Sequence, residues 1–200
     1  MATVRSCLLL LPLLGAACAS EVPVLASRPA RPAPPAGGTE ALVWRSADPV
    51  SVLPAGAEGV RPLFYYDKSV RVGRGSWLLV GPGGLATVAF ADGSYVSASG
   101  ECALEILGPE EGGGVLFRAS SARRLTVGLK GESQAGLPGG ALAEGDGATF
   151  VARAIENGKV RVEGRGAVPV RIRLAKEVVL LDGARSIDLP AGGVPGKTWP

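Results

Sequence analysis

The sequence predicts an all-β protein: a single twisted antiparallel β-sandwich or solenoid-like domain, preceded by an N-terminal signal and a proline-rich tether. Three observations lead there. From Ser69 onward the apolar residues recur with period two, the spacing at which one face of a strand is buried and the other wetted. Asx-Gly pairs separate several of these runs, and such pairs suit tight turns that need positive φ. The chain also holds 30 glycines and 16 prolines with few aromatics, a composition suited to short strands joined by turns and poor for a helical bundle.

Residues 1–17 read as an export signal. Arg5 is the basic start, an apolar run from Leu8 to Leu14 is broken by Pro12, and small residues follow. The run is too short to span a bilayer permanently. Two cleavage readings stand. Leu14-Gly-Ala-Ala17-Cys18 resembles the lipobox of bacterial lipoproteins, with Gly15 where that family usually has leucine. It implies a lipidated Cys18, and no aspartate follows that cysteine, which implies outer-membrane placement facing the periplasm. Alternatively, Ala17-Cys18-Ala19 fits ordinary signal peptidase, with release before Ser20. The membrane partner is thus expected through a lipid anchor at Cys18, held by about 0.8 kcal/mol per buried methylene.

Residues 18–40 are the tether. Pro23, Pro29, Pro32, Pro34 and Pro35 give a semi-extended spacer with little to pack. Residues 41–68 are expected as a lead-in, either short strands or a segment packed on the domain, carrying Trp44, Phe64, Tyr65 and Tyr66. The β domain is placed at 69–190 and a flexible tail at 191–200.

Within the domain, Cys102, Leu104 and Ile106 alternate with smaller or charged residues, as do Leu125, Val127 and Leu129, and again Val168, Val170, Ile172 and Leu174. Asp92-Gly93 divides 85–90 from 95–99, Asn157-Gly158 divides 150–155 from 159–163, and Asp182-Gly183 divides 176–181 from 185–189. All three read as hairpins. Residues 108–114 and 131–147 are glycine-rich and expected as loops, the second a long one.

Four segments follow one another in order: Gly84-Leu-Ala-Thr-Val-Ala-Phe-Ala-Asp92-Gly93-Ser94-Tyr-Val96, then Gly147-Ala-Thr149-Phe150-Val151, then Lys159-Val-Arg-Val162-Glu163-Gly164, and finally Val178-Val-Leu180-Leu-Asp182-Gly183-Ala-Arg-Ser186. Together they resemble the FecR periplasmic domain. Their order and spacing match across about residues 70–190. The resemblance implies a β-rich, non-enzymatic envelope module. In iron-uptake regulators such a domain receives a signal from an outer-membrane transporter and controls a sigma factor through a membrane helix. This chain departs from that plan, with neither a cytoplasmic N-terminal domain nor a spanning helix, so the expected comparison is with envelope proteins that carry the domain alone.

The chemistry-bearing residues point the same way. There is no histidine, which removes the commonest general base and metal ligand and every histidine-dependent nucleophile. Cys102 reads as a small buried core residue. Glu101 and Glu105 share a strand face only if no bulge intervenes, and Glu110-Glu111 reads as solvated loop. Glu144-Gly-Asp146 offers oxygens without the spacing of a calcium site. Residues 192–198 superficially resemble a phosphate loop, but the first glycine falls on Ala191 and no helix can follow. Trp77, Tyr95 and Trp199 read as core or incidental aromatics rather than a sugar platform. Arg161, Arg171 and Arg173, with Arg165 and Lys176, lie on consecutive predicted strands and form a candidate basic stripe for an acidic partner or anionic polymer if their outward faces align. A formal net charge of +3 gives no reason to expect nucleic acid. The sequence therefore leads to expect a non-catalytic envelope lipoprotein without a cofactor. It would bind another envelope protein as a sensory or regulatory adaptor, or alternatively hold a cell-wall or surface polysaccharide.

Overall fold

The computed structural model describes residues 41–64, 69–110, 113–183 and 185–189. The export signal, Cys18, the tether, the 191–200 tail and Trp199 lie outside the described residues. Those described form one large, mixed, mostly antiparallel sheet of 15 strands. In chain order they are β1 (Ala41–Ala47), β2 (Val50–Leu53), β3 (Arg61–Pro62), β4 (Val70–Val72), β5 (Ser76–Val80), β6 (Leu85–Phe90), β7 (Tyr95–Ile106), β8 (Gly114–Gly128), β9 (Ser133–Gly136), β10 (Leu142–Glu144), β11 (Thr149–Ala154), β12 (Val160–Arg165), β13 (Val170–Arg173), β14 (Val178–Leu181) and β15 (Ser186–Leu189). Two short 3-10 turns, Pro138–Gly140 and Glu156–Gly158, are the only helical turns among the described residues.

Two long strands organise the sheet. The first part of β7 pairs with β6 and with the end of β8, whereas its last part pairs with β5 and with the start of β8. The pairing register shifts between Ser99 and Cys102 and again between Ala103 and Leu104, the mark of bulges that bend a hairpin. One wing of the sheet therefore runs β4-β1-β6-β7-β8-β11-β12-β15, and the other β3-β2-β5-β7-β8-β9-β10-β13-β14. The bend is sharp. Ser133 pairs with Gly114 although β9 begins five residues after β8 ends, a reach of at most about 18 Å. A straight strand of the length of β8 would hold its ends about 46 Å apart. Folding β8 back on itself also makes β8 and β9 run parallel, the one departure from the antiparallel arrangement expected.

Alternation supplies the core of both wings. Val43, Val88, Val96, Val127 and Phe150 face one another across five successive strands of the first wing. Ile106, Phe117, Ala135, Ala143 and Ile172 do so across the second. All ten belong to a single buried cluster. Phe90 of the first wing stacks on Phe117 of the second, with ring centroids 6.3 Å apart and planes 13° from parallel. Full burial of such side chains contributes about 2–3 kcal/mol each, so the stacked pair fixes the wings to each other.

Four expectations change. The lead-in is not separate from the domain: residues 41–64 form short strands, one of its two expected forms, and β1 pairs with β4 and β6 and β2 with β3 and β5 in the same sheet. The stretch 131–147 is not one long loop, because β9 and β10 pair within it. Its buried positions are Ser133, Ala135, Gly136, Leu137, Pro138, Ala141 and Ala143, and mostly small residues give a weak alternation. Asp182-Gly183 is not a hairpin turn either. β14 pairs with β13 and β15 with β12, so this turn carries the chain from one wing to the other. Finally, Val168, expected in the alternating core face, is exposed and precedes β13. The other two turns behave as read: Asp92-Gly93 joins β6 to β7 and Asn157-Gly158 joins β11 to β12.

Candidate functional site

The Asp92-Gly93-Ser94 turn does more than reverse the chain. Asp92 Oδ1 accepts the Ser94 amide at 2.9 Å, an Asx turn. Its Oδ2 accepts the hydroxyls of Ser94 at 2.7 Å and of Ser133 at 2.6 Å. The Ser94 hydroxyl in turn accepts the Lys130 amide at 2.9 Å. Ser94 and Ser133 are buried, so one carboxylate ties the β6–β7 turn to the start of β9. Nearby, the Tyr95 ring lies over Gly128, its direct cross-strand partner. A β-carbon at Gly128 would come within 2.2 Å of that ring.

Beyond this link a cleft of about 630 Å³ opens on the second wing. Glu144 of β10 stands at its centre with a largely covered carboxylate. Gln134 Nε2 donates to it at 3.0 Å, Arg171 Nη1 at 3.2 Å and Arg173 Nη2 at 3.1 Å. The registers explain the convergence. Glu144 lies directly opposite both Gln134 and Arg171, and Arg173 is one pleat along on the same face. Asp146 lines the same cleft, and its Oδ1 accepts the Gly131 amide at 2.7 Å. The oxygens that Glu144 and Asp146 offered in the sequence are thus already engaged, by two guanidinium groups, an amide side chain and a backbone N–H. The far rim is Leu180 of β14.

The candidate basic stripe is not continuous. Arg171 and Arg173 lie on β13, and Arg161 lies on β12 of the other wing; β12 pairs with β11 and β15, and β13 with β10 and β14. The reason is the Asp182-Gly183 crossover together with the β10–β13 pairing, which makes strands consecutive in sequence non-adjacent in space. Arg161 instead grips Asp188 of β15 with two hydrogen bonds, at 2.7 and 2.9 Å. Those bonds hold the Asp188 carboxyl below its ordinary value and raise the Arg161 guanidinium in return. Arg165 donates to Glu163 at 2.8 Å. Lys176 precedes β14.

The remaining candidates separate as well. Glu101 falls at the register shift between Ser99 and Cys102, whereas Glu105 sits in the regular ladder beside Arg118, 3.9 Å away. The bulge that breaks a shared face is therefore present. Cys102 is buried, and its thiol points toward the backbone oxygens of Ser99 at 3.5 Å and Arg124 at 3.7 Å. Desolvation raises its pKa against the smaller opposing effect of these contacts, which disfavours the reactive thiolate. Trp77 lies half-exposed on β5 and borders a shallow cavity of about 420 Å³ with Glu105, Arg118 and Leu142. Among the described residues no three His, Cys, Asp or Glu side chains are grouped so as to hold a metal ion, and no helix is long and apolar enough to cross a membrane.

Sequence reasoning missed Ser133 and Gln134. Both sit in the glycine-rich stretch read as loop; the parallel β8–β9 pairing seats Ser133 beside Gly114, and the β9–β10 pairing sets Gln134 opposite Glu144. No protein-family model, curated protein or solved structure matches this chain.

Proposed function

We propose that this protein is a non-catalytic, FecR-like β scaffold of the bacterial envelope, anchored by lipid at Cys18, that works as an adaptor by pairing β14 with an extended segment of another envelope protein. The observation that carries this reading is the character of β14. Among the described residues four strands end the sheet: β3, β4, β14 and β15. β3 consists of Arg61 and Pro62, β4 contains Arg71, and β15 contains Asp188. Charge and proline are the ordinary protections of a sheet edge. β14 reads Val-Val-Leu-Leu, with Val178 57% and Leu180 50% exposed. An apolar, uncharged edge offers main-chain hydrogen bonds and side-chain contacts to an added strand.

The neighbouring cleft suits the same role. Val178 and Leu180 lie directly opposite Arg173 and Arg171, so an incoming strand would meet apolar contacts beside two guanidinium groups. We infer also that the two wings pack as a sandwich. This is supported by the single core between the wings and by the Phe90–Phe117 stack.

The test is a photo-crosslinker at Val178 in the tagged full chain, activated in intact envelopes. One stoichiometric protein adduct, lost when Leu180→Lys puts a charge on the edge, is the expected result. Polysaccharide adducts without a protein would overturn the adaptor reading. They would favour the second one, a glycan-holding module, which rests on Trp77 beside the cavity with Glu105 and Arg118.

A further inference from the structure

We propose that the concave bend of the β7–β8 hairpin is a binding site for a phosphomonoester-type dianion, held by Arg123, Arg124 and Arg153. The site lies at the bend and on β11 of the first wing, whereas β14 ends the second, and it stands independently of the adaptor reading.

Register builds it. Ser99 lies directly opposite Arg124, Arg124 opposite Arg153, and Arg153 opposite Arg161. Directly opposed residues share a face, so three arginines stand in one row across β8, β11 and β12. Like charges facing each other across a ladder are destabilising, and the row is only partly compensated. Arg161 has Asp188 to itself. Arg153 reaches Glu163 at 2.6 Å, but Arg165 claims the same carboxylate at 2.8 Å. Arg124 and Arg123 have no carboxylate partner among the described residues.

The bend then brings Arg123 in. Gly100, at φ +71°, sits where the register shifts, and a β-carbon there would lie 2.8 Å from Arg123 Cγ and 3.0 Å from its Cβ. The missing side chain both permits the backbone turn and seats the Arg123 stem. The result is a concavity of about 580 Å³ lined by Arg123, Arg124, Arg153, Ser99, Gly100 and Glu156. Three arginines and one glutamate line it, and Glu163, the carboxylate Arg153 reaches outside that lining, is shared with Arg165, so the lining keeps an excess of positive charge. That excess matches a doubly charged phosphate ester better than a single carboxylate, and the planar guanidinium fork suits phosphate oxygens. The ester could belong to a soluble sugar phosphate or to a lipid headgroup; the chemistry at the arginines is shared.

The experiment is a titration of the isotope-labelled full chain with inorganic phosphate at about pH 8, where the second proton is gone, at constant ionic strength set with chloride. Saturable amide shifts confined to Ser99, Gly100, Arg124 and Ala154 are expected. Arg124→Gln and Arg123→Gln should each weaken binding by about tenfold, the loss expected for one charge-assisted contact. Both side chains are exposed, and unchanged thermal melts would show that the variants fold. Arg185→Gln, which removes an exposed ion pair with Asp182, should leave the titration unchanged. Competition by a hexose phosphate would assign a soluble ester. Stronger retention of wild type than of Arg124→Gln on phosphatidate vesicles, but not on phosphatidylcholine vesicles, would assign a headgroup. Equal responses to chloride and phosphate, or binding by both arginine variants at wild-type strength, would overturn the proposal.

Discussion

Asp92→Ala should be among the most damaging single polar substitutions in the protein. The carboxylate accepts three hydrogen bonds, from the Ser94 amide and from the Ser94 and Ser133 hydroxyls. Its removal strands two hydroxyls in residues only 0% and 4% exposed. A buried donor without its acceptor costs about 1–1.5 kcal/mol at the lower end of the usual range, and the lost turn bond adds about 1. The expected destabilisation is therefore about 3 kcal/mol. With a urea slope of about 2 kcal/mol/M, the unfolding midpoint of the full chain, followed by far-ultraviolet circular dichroism, should fall by about 1.5 M. Ser133→Ala alone should cost about 1 kcal/mol, since Asp92 keeps Ser94. The double variant should be less destabilised than the sum, with a coupling of about 1 kcal/mol. If Asp92→Ala stays within about 0.5 kcal/mol of wild type, or the coupling vanishes, the turn does not hold β9 to the first wing and the argument fails.

The remaining expectations concern other parts of the sheet. Gly128→Val should destabilise by several kcal/mol on the same assay, because the new side chain enters the space of the Tyr95 ring; Gly131→Ala, where a β-carbon meets open space, reports only the cost of its positive φ and should be milder. Cys102 should react with a thiol reagent only as fast as the protein unfolds. Its folded pKa is raised, so the folded state keeps the proton that the unfolded state loses. Stability should therefore decline as pH rises past the ordinary thiol value, a decline that Cys102→Ala removes. Asp188 has the opposite sign. Its folded pKa is lowered by Arg161, so the stabilisation is present above the ordinary carboxylate value and is lost as pH falls through the lowered one. In Arg161→Gln, the Asp188 titration followed by carboxyl carbon shifts should move back up toward the ordinary value.

Much of the sheet was legible because its main signal is local. A strand such as β13 shows its buried residues at every second position, and Val170 and Ile172 are buried as the alternation requires. Asp92-Gly93 and Asn157-Gly158 were readable as hairpin turns for the same reason, since turn chemistry is written in adjacent residues. Pairing between distant strands is not local. Nothing in Val178–Leu181 says that it joins β13 while the next strand joins β12, so Asp182-Gly183 looked like the other two turns. The stripe of Arg161, Arg171 and Arg173 failed for that reason: it assumed that strands near in sequence lie near in space. Weak alternation hid β9 and β10, whose buried residues are largely alanine and serine.

The candidate sites were less legible than the core because each depends on where a ladder slips. A one-residue shift in register turns a strand's side chains to the opposite face. β7 and β8 slip twice relative to each other, and the face that each arginine of β8 occupies is set by those slips. Arg123 and Arg124 are neighbours in sequence and would point to opposite faces of a regular strand. At the bend both line one concavity. Gly100 makes that arrangement possible, and the same bend folds β8 back far enough to place Ser133 beside Gly114. The bend that closes the wings on their core therefore also gathers the arginines. A substitution that straightened it, such as Gly100→Val, should lose stability and phosphate binding together, whereas Arg124→Gln should lose binding alone.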